Sequence, residues 1–463
     1  MSYTNGLDKP TDYFNTKIFT GNNSANNSIT GIGFQPDWIW FKNRNAANDH
    51  ALVDSVRGRK ALSSNNTSAE LTLNADKDFQ SFDSDGFTVD VVEQLNSFNK
   101  SGDSIVTWNW LAGGTAPTQT YTVKVVSDSG NKYRFDDFGT SAVTLDLQEG
   151  GTYTFDQSDS SNSGHPLRFS TTSDGTHGGG SEYTTNVTTT GTPGSAGAKT
   201  VITVASGTAT LYYYCSVHSG MGGQANTNST FGSSNFSGSI QANVSANTTA
   251  GFSIVSYTGT GSNATVGHGL GVAPSVVITK NLSTATNWPF LHTSYTSGAG
   301  ALDESTAFTG SFTDYFNAVP TSSVVNIGTT NGANKSGDDI IMYAFAEKKG
   351  YSKFGSYTGN GNNDGVFIYT GFKPAWVTQK KASGTSDWVI YDNKRDVSNV
   401  VTQELKANSS GAENSFTNID ILSNGFKQRA DYAYTNNSGA TYIYMAFAEN
   451  PFVTSTGIPT TAR

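Results

Sequence analysis

Tyr357-Thr358-Gly359, Pro374, Asn436-Asn437-Ser438-Gly439 and Ala446-Phe447-Ala448-Glu449 mark the stretch that decides the fold, because the chain writes this pattern three times. The middle copy reads Tyr257-Thr258-Gly259, Pro274, Asn334-Lys335-Ser336-Gly337 and Ala344-Phe345-Ala346-Glu347. The first reads Phe19-Thr20-Gly21, Pro36, Asn99-Lys100-Ser101-Gly102 and Trp108-Asn109-Trp110. In every copy the turn glycine precedes the proline by 15 residues, and proline to closing glycine spans 66, 63 and 65 residues. Landmarks held in register this way define a three-module repeat protein, a reading that comes before any element is assigned. Pro274 and Pro374 lie 100 residues apart, but Pro36 and Pro274 lie 238 apart. About one extra domain therefore separates the first two copies.

Within the copies, Ile39-Trp40-Phe41, Ser275-Val276-Val277-Ile278 and Trp388-Val389-Ile390-Tyr391 are short apolar runs between Gly, Asn and Asp. Runs of this length and setting read as strands. Thr441 to Phe447 has the aromatics of a strand buried on both faces, and the best helical candidate, Asn399 to Ala407, is short. Modules of about 100 residues with many short strands have the rhythm of a β-sandwich. The expected fold is all-β: three antiparallel, jelly-roll-like sandwiches and one inserted Greek-key sandwich. The boundaries read as residues 1–117 for the first repeat, 118–227 for the insert and 228–251 for an Asn/Ser/Thr/Gly-rich linker. The second repeat then covers 252–349 and the third 350–463, with a loose tail from Thr454 to Arg463.

Composition sets limits on function. The 463 residues are 35% hydrophobic and only 14% charged, with 21 Tyr and 27 Phe, so the chain lacks the signature of disorder. A net charge of −9 opposes nucleic-acid binding, which needs a basic footprint. No run approaches the roughly 20 apolar residues of a membrane span. Met1 to Gly6 shows no leader, and one cysteine excludes an intrachain disulfide. Assembly into a particle in the cytoplasm, followed by release, accommodates these properties, and so does export by a dedicated secretion system.

Several residues recur at fixed positions. A lysine follows the proline by six residues each time (Lys42, Lys280, Lys380), and Asp54 with Arg57 matches Asp392 with Arg395. The second copy has His292 and Tyr295 at those places. A structural ion pair competes here with a receptor contact. Trp288 and Trp388 share a position that His50 takes in the first copy, read as core in preference to a sugar-stacking platform. Glu70 and Glu413 sit in matching contexts, the only hint of the paired carboxylates a polysaccharide-degrading enzyme would need.

The insert carries the chemistry. After the aromatic strand Leu211-Tyr212-Tyr213-Tyr214 comes Cys215-Ser216-Val217-His218-Ser219-Gly220-Met221, and His165 stands upstream in Gly164-His165-Pro166-Leu167. A thiolate, two imidazoles and a thioether form the ligand set of an electron-transfer copper site. Order and spacing resemble the cupredoxins, the blue copper proteins. That resemblance implies His165, Cys215 and His218 as trigonal ligands and Met221 as the axial one, holding a single copper. His177, in a Gly-rich loop, matches no ligand of that family. A cupredoxin fold whose site stays empty or takes zinc is the competing reading.

The repeats resemble a family frequent in tail-fibre and other virion proteins of marine bacteriophages. The residues that carry this are Asp12-Tyr13-Phe14-Asn15-Thr16-Lys17, Gly33-Phe34-Gln35-Pro36-Asp37-Trp38 and Gly267-His268-Gly269-Leu270-Gly271-Val272-Ala273-Pro274. The resemblance implies a non-enzymatic structural protein of the virion (tail fibre, spike or capsid decoration) engaged in host attachment or assembly. Its expected partners are other virion proteins, further copies of itself in a homo-oligomer, and a host cell-surface glycan or protein. A copper electron carrier displayed on repeats is the alternative, and a polysaccharide-degrading enzyme the more distant one.

Overall fold

The computed structural model describes residues 7–227, 231–454, 456, 458 and 460. Met1–Gly6, Asn228 at the expected end of the insert, and tail residues 455, 457, 459 and 461–463 lie outside them. The chain is all-β, with two four-residue helices, Phe312–Tyr315 and Asn331–Asn334, among the described residues.

Each copy builds the same antiparallel sheet. In the first the strand order is Phe14–Thr20, Ser104–Trp110, Trp38–Asn43, Ala51–Asp54. The second repeats it with Phe252–Thr258, Asp339–Phe345, Val276–Asn281 and Pro289–His292. The third uses Ser352–Thr358, Thr441–Pro451, Phe372–Lys381 and Val389–Asp392. A second layer follows in each: Asn27–Thr30 on Gly86–Val89, Ala264–Gly267 on Val324–Ile327, and Phe367–Tyr369 on Gly425–Gln428. In the third copy, Val401–Lys406 and Asn414–Leu422 join both layers into one eight-stranded sheet. The helix candidate Asn399 to Ala407 is thus corrected to a strand, because Glu404 pairs against Asn414 and tucks its carboxylate under the Tyr391 hydroxyl at 3.1 Å.

The landmarks recur because they touch one another. A Cβ on Gly21, Gly259 or Gly359 would lie 2.2, 2.3 or 2.3 Å from the carbonyl oxygen of Lys100, Lys335 or Asn437, so only glycine fits. The closing glycines Gly102, Gly337 and Gly439 each donate back to the turn glycine at 2.8 to 3.0 Å. Asn99, Asn334 and Asn436 accept from the amides of Asn22, Thr260 and Asn360 at 3.0, 2.7 and 3.0 Å.

The three sandwiches do not run in series as a stalk or array. They close into a ring. One face of each main sheet enters a single shared core containing Trp38, Trp108 and Trp110, then Phe252, Tyr343 and Phe345, then Trp376, Trp388 and Phe447. The other face packs within its own copy. The closing aromatics meet at the centre, with Phe447 5.6 Å from Trp110 and 5.9 Å from Phe345.

The recurring polar residues staple this ring, the lysines, the tryptophans and His50 reaching one neighbouring copy and Asp54, His292 and Asp392 the other. The Lys42 amine donates to Ser410 O in copy three, Lys280 to Thr67 O in copy one, and Lys380 to Ser305 O in copy two, at 2.8 to 2.9 Å. Burial lowers all three amines to about 8. Trp288 Nε1 donates to Ser63 O at 3.1 Å and Trp388 Nε1 to Ala301 O at 3.0 Å. His50 Nε2 lies 3.0 Å from Lys406 O while its Nδ1 accepts from Trp40 at 2.8 Å, which fixes the neutral tautomer. Asp54 receives the Tyr343 hydroxyl of copy two at 2.7 Å, and Asp392 the Trp108 indole of copy one at 3.0 Å. His292 makes the third contact of this set, to Tyr444 O at 3.2 Å. The lysines, the Asp–Arg pairs and the tryptophans are buried inter-repeat contacts, not an exposed receptor face.

The insert is a sandwich of two five-stranded sheets. One has the order Asn131–Phe135, Thr118–Ser127, Thr152–Asp156, Lys199–Thr203, Val187–Thr190, and the other Leu145–Asp146, Gly223–Asn226, Leu211–Cys215, Leu167–Ser170, Glu182–Tyr183. Each sheet contains one parallel pair. Within the expected linker 228–251, the described residues 231–251 are not a linker: Ser233–Asn235 and Ala242–Asn247 extend the second repeat's sheet at its edge. Phe236 enters the insert's core against Tyr121, Phe135 and Phe138, at ring distances of 5.6, 5.8 and 5.5 Å. The insert's core thus extends beyond residue 227 and is docked on repeat two, with the Tyr121 hydroxyl on Ser234 O at 2.8 Å and the Tyr153 hydroxyl on Ser233 Oγ at 2.7 Å.

Candidate metal centre

Two loops at one end of the insert meet. The upstream loop turns through Ser160–Asn162, where Asp159 caps the Ser161 amide at 2.9 Å, and Gly164 takes a positive φ of 77°. His165 N then donates to Asn162 O at 2.8 Å. Pro166 has no N–H, and Gln157 bridges across it. Its Nε2 donates to His165 O at 2.8 Å and its Oε1 accepts from Leu167 N at 3.1 Å. The Tyr133 hydroxyl also donates to His165 O at 2.8 Å.

Cys215 ends the strand Leu211–Cys215 directly opposite Leu167, and its thiol is fully buried. Ser216 N donates to Pro166 O at 3.1 Å, closing one loop on the other. His165, Cys215 and His218 thereby converge, their ligand atoms all within 4.8 Å of one another. Cys215 Sγ lies 3.9 Å from His165 Nδ1 and 3.8 Å from His218 Nδ1, and the two rings are 4.6 Å apart. Met221 is buried on the same loop and lines, with His218, Asn131, His177, Val217 and Ser219, an open hollow of about 490 Å³.

These separations fit a metal ion. Sulfur-to-nitrogen separations of 3.8 to 3.9 Å leave room for one ion bonded at about 2.3 Å to sulfur and about 2.05 Å to nitrogen. Soft sulfur with imidazole suits copper and zinc, and a trigonal Cys–His₂ set favours copper. Burial, then the neighbouring His218, lowers the His165 pKa, keeping its ring in the neutral form a metal needs. Burial beside Cys215 holds the Tyr133 phenol protonated far above its ordinary range.

A third loop, Thr171 to Gly180, straps the ligand loop from outside. His177 Nε2 lies 3.0 Å from Cys215 O, Asp174 Oδ1 accepts from Gly220 N at 2.8 Å, and Gly175 packs on the Tyr214 ring, where a Cβ would come within 2.4 Å. His177 is therefore a partner of a ligand's backbone and not a ligand. Its glycine-rich setting was the visible signal. Gln157, Tyr133 and Asp174 gave none, because each acts on a segment distant in sequence. Glu70 and Glu413 are each held by two cations. Glu70 is bound by Arg57 at 3.1 Å and Lys60 at 2.7 Å, and Glu413 by Arg44 at 2.6 Å and Arg395 at 2.9 Å.

The molecule is thus an all-β repeat protein with a thiol–imidazole ligand cluster on an inserted sandwich. It belongs to the family described as a domain of unknown function (DUF7483), whose model matches residues 9–134 and 224–451. The unmatched span, 135–223, holds all four candidate ligands. No curated protein and no solved structure matches the chain.

Proposed function

We propose that this chain is a structural protein of a bacteriophage particle, a tail fibre, spike or capsid decoration, whose inserted sandwich holds one copper ion. The convergence of Cys215 with His165 and His218 at 3.8 to 3.9 Å carries the metal half of this reading. The particle half rests on the resemblance of the repeats, on a composition suited to the extracellular surface, and on a ring whose polar residues are spent on closing it. Bound copper would supply one-electron transfer. His165, Cys215, His218 and Met221 would hold it. Gln157, Tyr133 and the Asp174–His177 strap keep those donors in place whether or not metal is bound, the arrangement expected of outer partners that orient ligands.

Copper(II) added to the purified chain should give an intense visible thiolate charge-transfer band. Cys215→Ser should abolish it, and Met221→Leu should keep it while shifting the reduction potential. A colourless wild-type protein would refute the copper assignment. Detection of the chain in purified particles tests the other half, and its absence there would refute it.

A further inference from the structure

The pseudo-symmetry supplies an internal control for the surface. In the second layer, Ile29 pairs with Phe87, Val266 with Val325, and Ile368 with Phe426, so these three apolar residues are equivalent and all point inward. Their outward neighbours differ. Copy one has Ser28 and Thr30, both exposed, and copy three Phe367 and Tyr369, whereas copy two has Thr265 and Gly267, half-buried and buried beneath Ser237 and its neighbours. Those two rings are 46% and 61% exposed on the last strand of an eight-stranded sheet. Natural edge strands are usually blunted with charge, so exposed aromatics there point to a ligand.

Beside them runs a groove of about 620 Å³, lined by Tyr369, Thr370, Phe452, Ser352, Lys353 and Lys349, with Glu347 at its edge. Glu347 is already committed. One of its oxygens pairs with Lys353 at 2.8 Å and the other accepts from Phe354 N at 2.8 Å. Lys349, exposed, has no charge partner among the described residues. The uncommitted charge of the groove is therefore positive, in a chain of net charge −9. Concave sites that combine aromatic surface with a few placed polar groups take small molecules or the units of a polymer.

We infer that this groove binds an anionic polysaccharide, one sugar ring lying against Tyr369 and an acidic substituent reaching Lys349. The inference gives a ligand class to the attachment role proposed above, but it is tested on the isolated chain and does not depend on metal.

The full chain is assayed by affinity electrophoresis in gels containing alginate, dextran sulfate or dextran. Retardation by one or both anionic polymers, and not by dextran, is expected. Tyr369→Ala should weaken it about tenfold, and Lys349→Gln should weaken it by a similar factor, about 1.4 kcal/mol each. Phe416→Ala, an exposed ring of the same repeat outside the groove, should change nothing. Binding to neither anionic polymer, equal binding to dextran, or retardation undiminished by both groove variants would each overturn the inference. A chain that binds alginate but is absent from particles would keep this groove and refute the virion reading.

Discussion

If the three copies form one ring, damage at a single seam must loosen all of them. Trp388 is the place to test this. It belongs to copy three, yet its ring lies 4.5 Å from Phe290 and 6.0 Å from Phe308 of copy two, and its indole donates to Ala301 O at 3.0 Å. Removing the ring in Trp388→Ala should cost about 3–5 kcal/mol in lost packing. Leaving the buried Ala301 carbonyl without a donor adds about 1–3 kcal/mol. The total is comparable with the whole stability of a typical protein of about 5–15 kcal/mol. Trp388→Phe keeps most of the ring contact and should cost about 1–3 kcal/mol, chiefly the orphaned carbonyl. Guanidinium unfolding gives the loss, and amide hydrogen exchange shows where it falls. Protection should drop together in Trp38–Asn43, Val276–Asn281 and Phe372–Lys381, the central strands of the three copies. If only Phe372–Lys381 loses protection and the other two strands stay as in the wild type, the copies are independent modules and the ring argument fails.

Acid should open the ring at its histidines. Burial holds His50 down to about 3 and His292 to about 4, against an ordinary 6.5. Below pH 6.5 the unfolded chain takes up protons that the folded one refuses, so stability falls as pH falls, by about 2–3 kcal/mol per histidine at pH 4.5. Urea titrations at pH 7 and 4.5 measure this, and a His50→Gln variant should show a shallower decline. Phe236→Ala, outside the sequence boundary of the insert, should destabilise the insert by about 3–5 kcal/mol, read as a lower unfolding midpoint for exchange in Leu211–Cys215. His177→Ala should weaken copper retention about tenfold in a chelator competition and His177→Gln restore part of it, because an amide can also donate to Cys215 O. An unchanged affinity in His177→Ala would make that strap incidental.

The repeats and the convergence of His165, Cys215 and His218 were legible because each rests on residue type in a fixed setting: a glycine that cannot carry a Cβ, a cysteine three residues from a histidine. Ring closure was not legible. Lys280 and Trp388 reveal their roles only through backbone carbonyls of another copy, and a carbonyl has no sequence signature. The misread linker has a related cause. Ala242–Asn247 carries few large apolar residues, and what makes it a strand is pairing on both sides, with Phe252–Thr258 and with Ser233–Asn235. Val401–Lys406 resembles a helical turn in composition, but its tertiary pairing overrides a weak local preference.

The ring also accounts for where the insert sits. Copies two and three are joined by only six residues between Phe345 and Ser352, and Leu7 N bonds Lys349 O at 3.1 Å, so the chain's start and that joint hold each other. The link between copies one and two bears no such duty, because the staples of Lys280, Trp288 and Tyr343 already fasten copy two to copy one. Lengthening a connection whose ends are fixed costs only a logarithm of its length. A domain can therefore enter there without opening the ring. Its orientation follows from the docking residues. Thr152 N bonds Pro117 O at the base, where Tyr121 and Tyr153 hold Ser234 and Ser233, while Cys215 stands four residues up its strand from Leu211, about 13 Å along. The ligand cluster thus lies at the end of the sandwich away from the ring, so its residues and the repeat architecture can be altered independently.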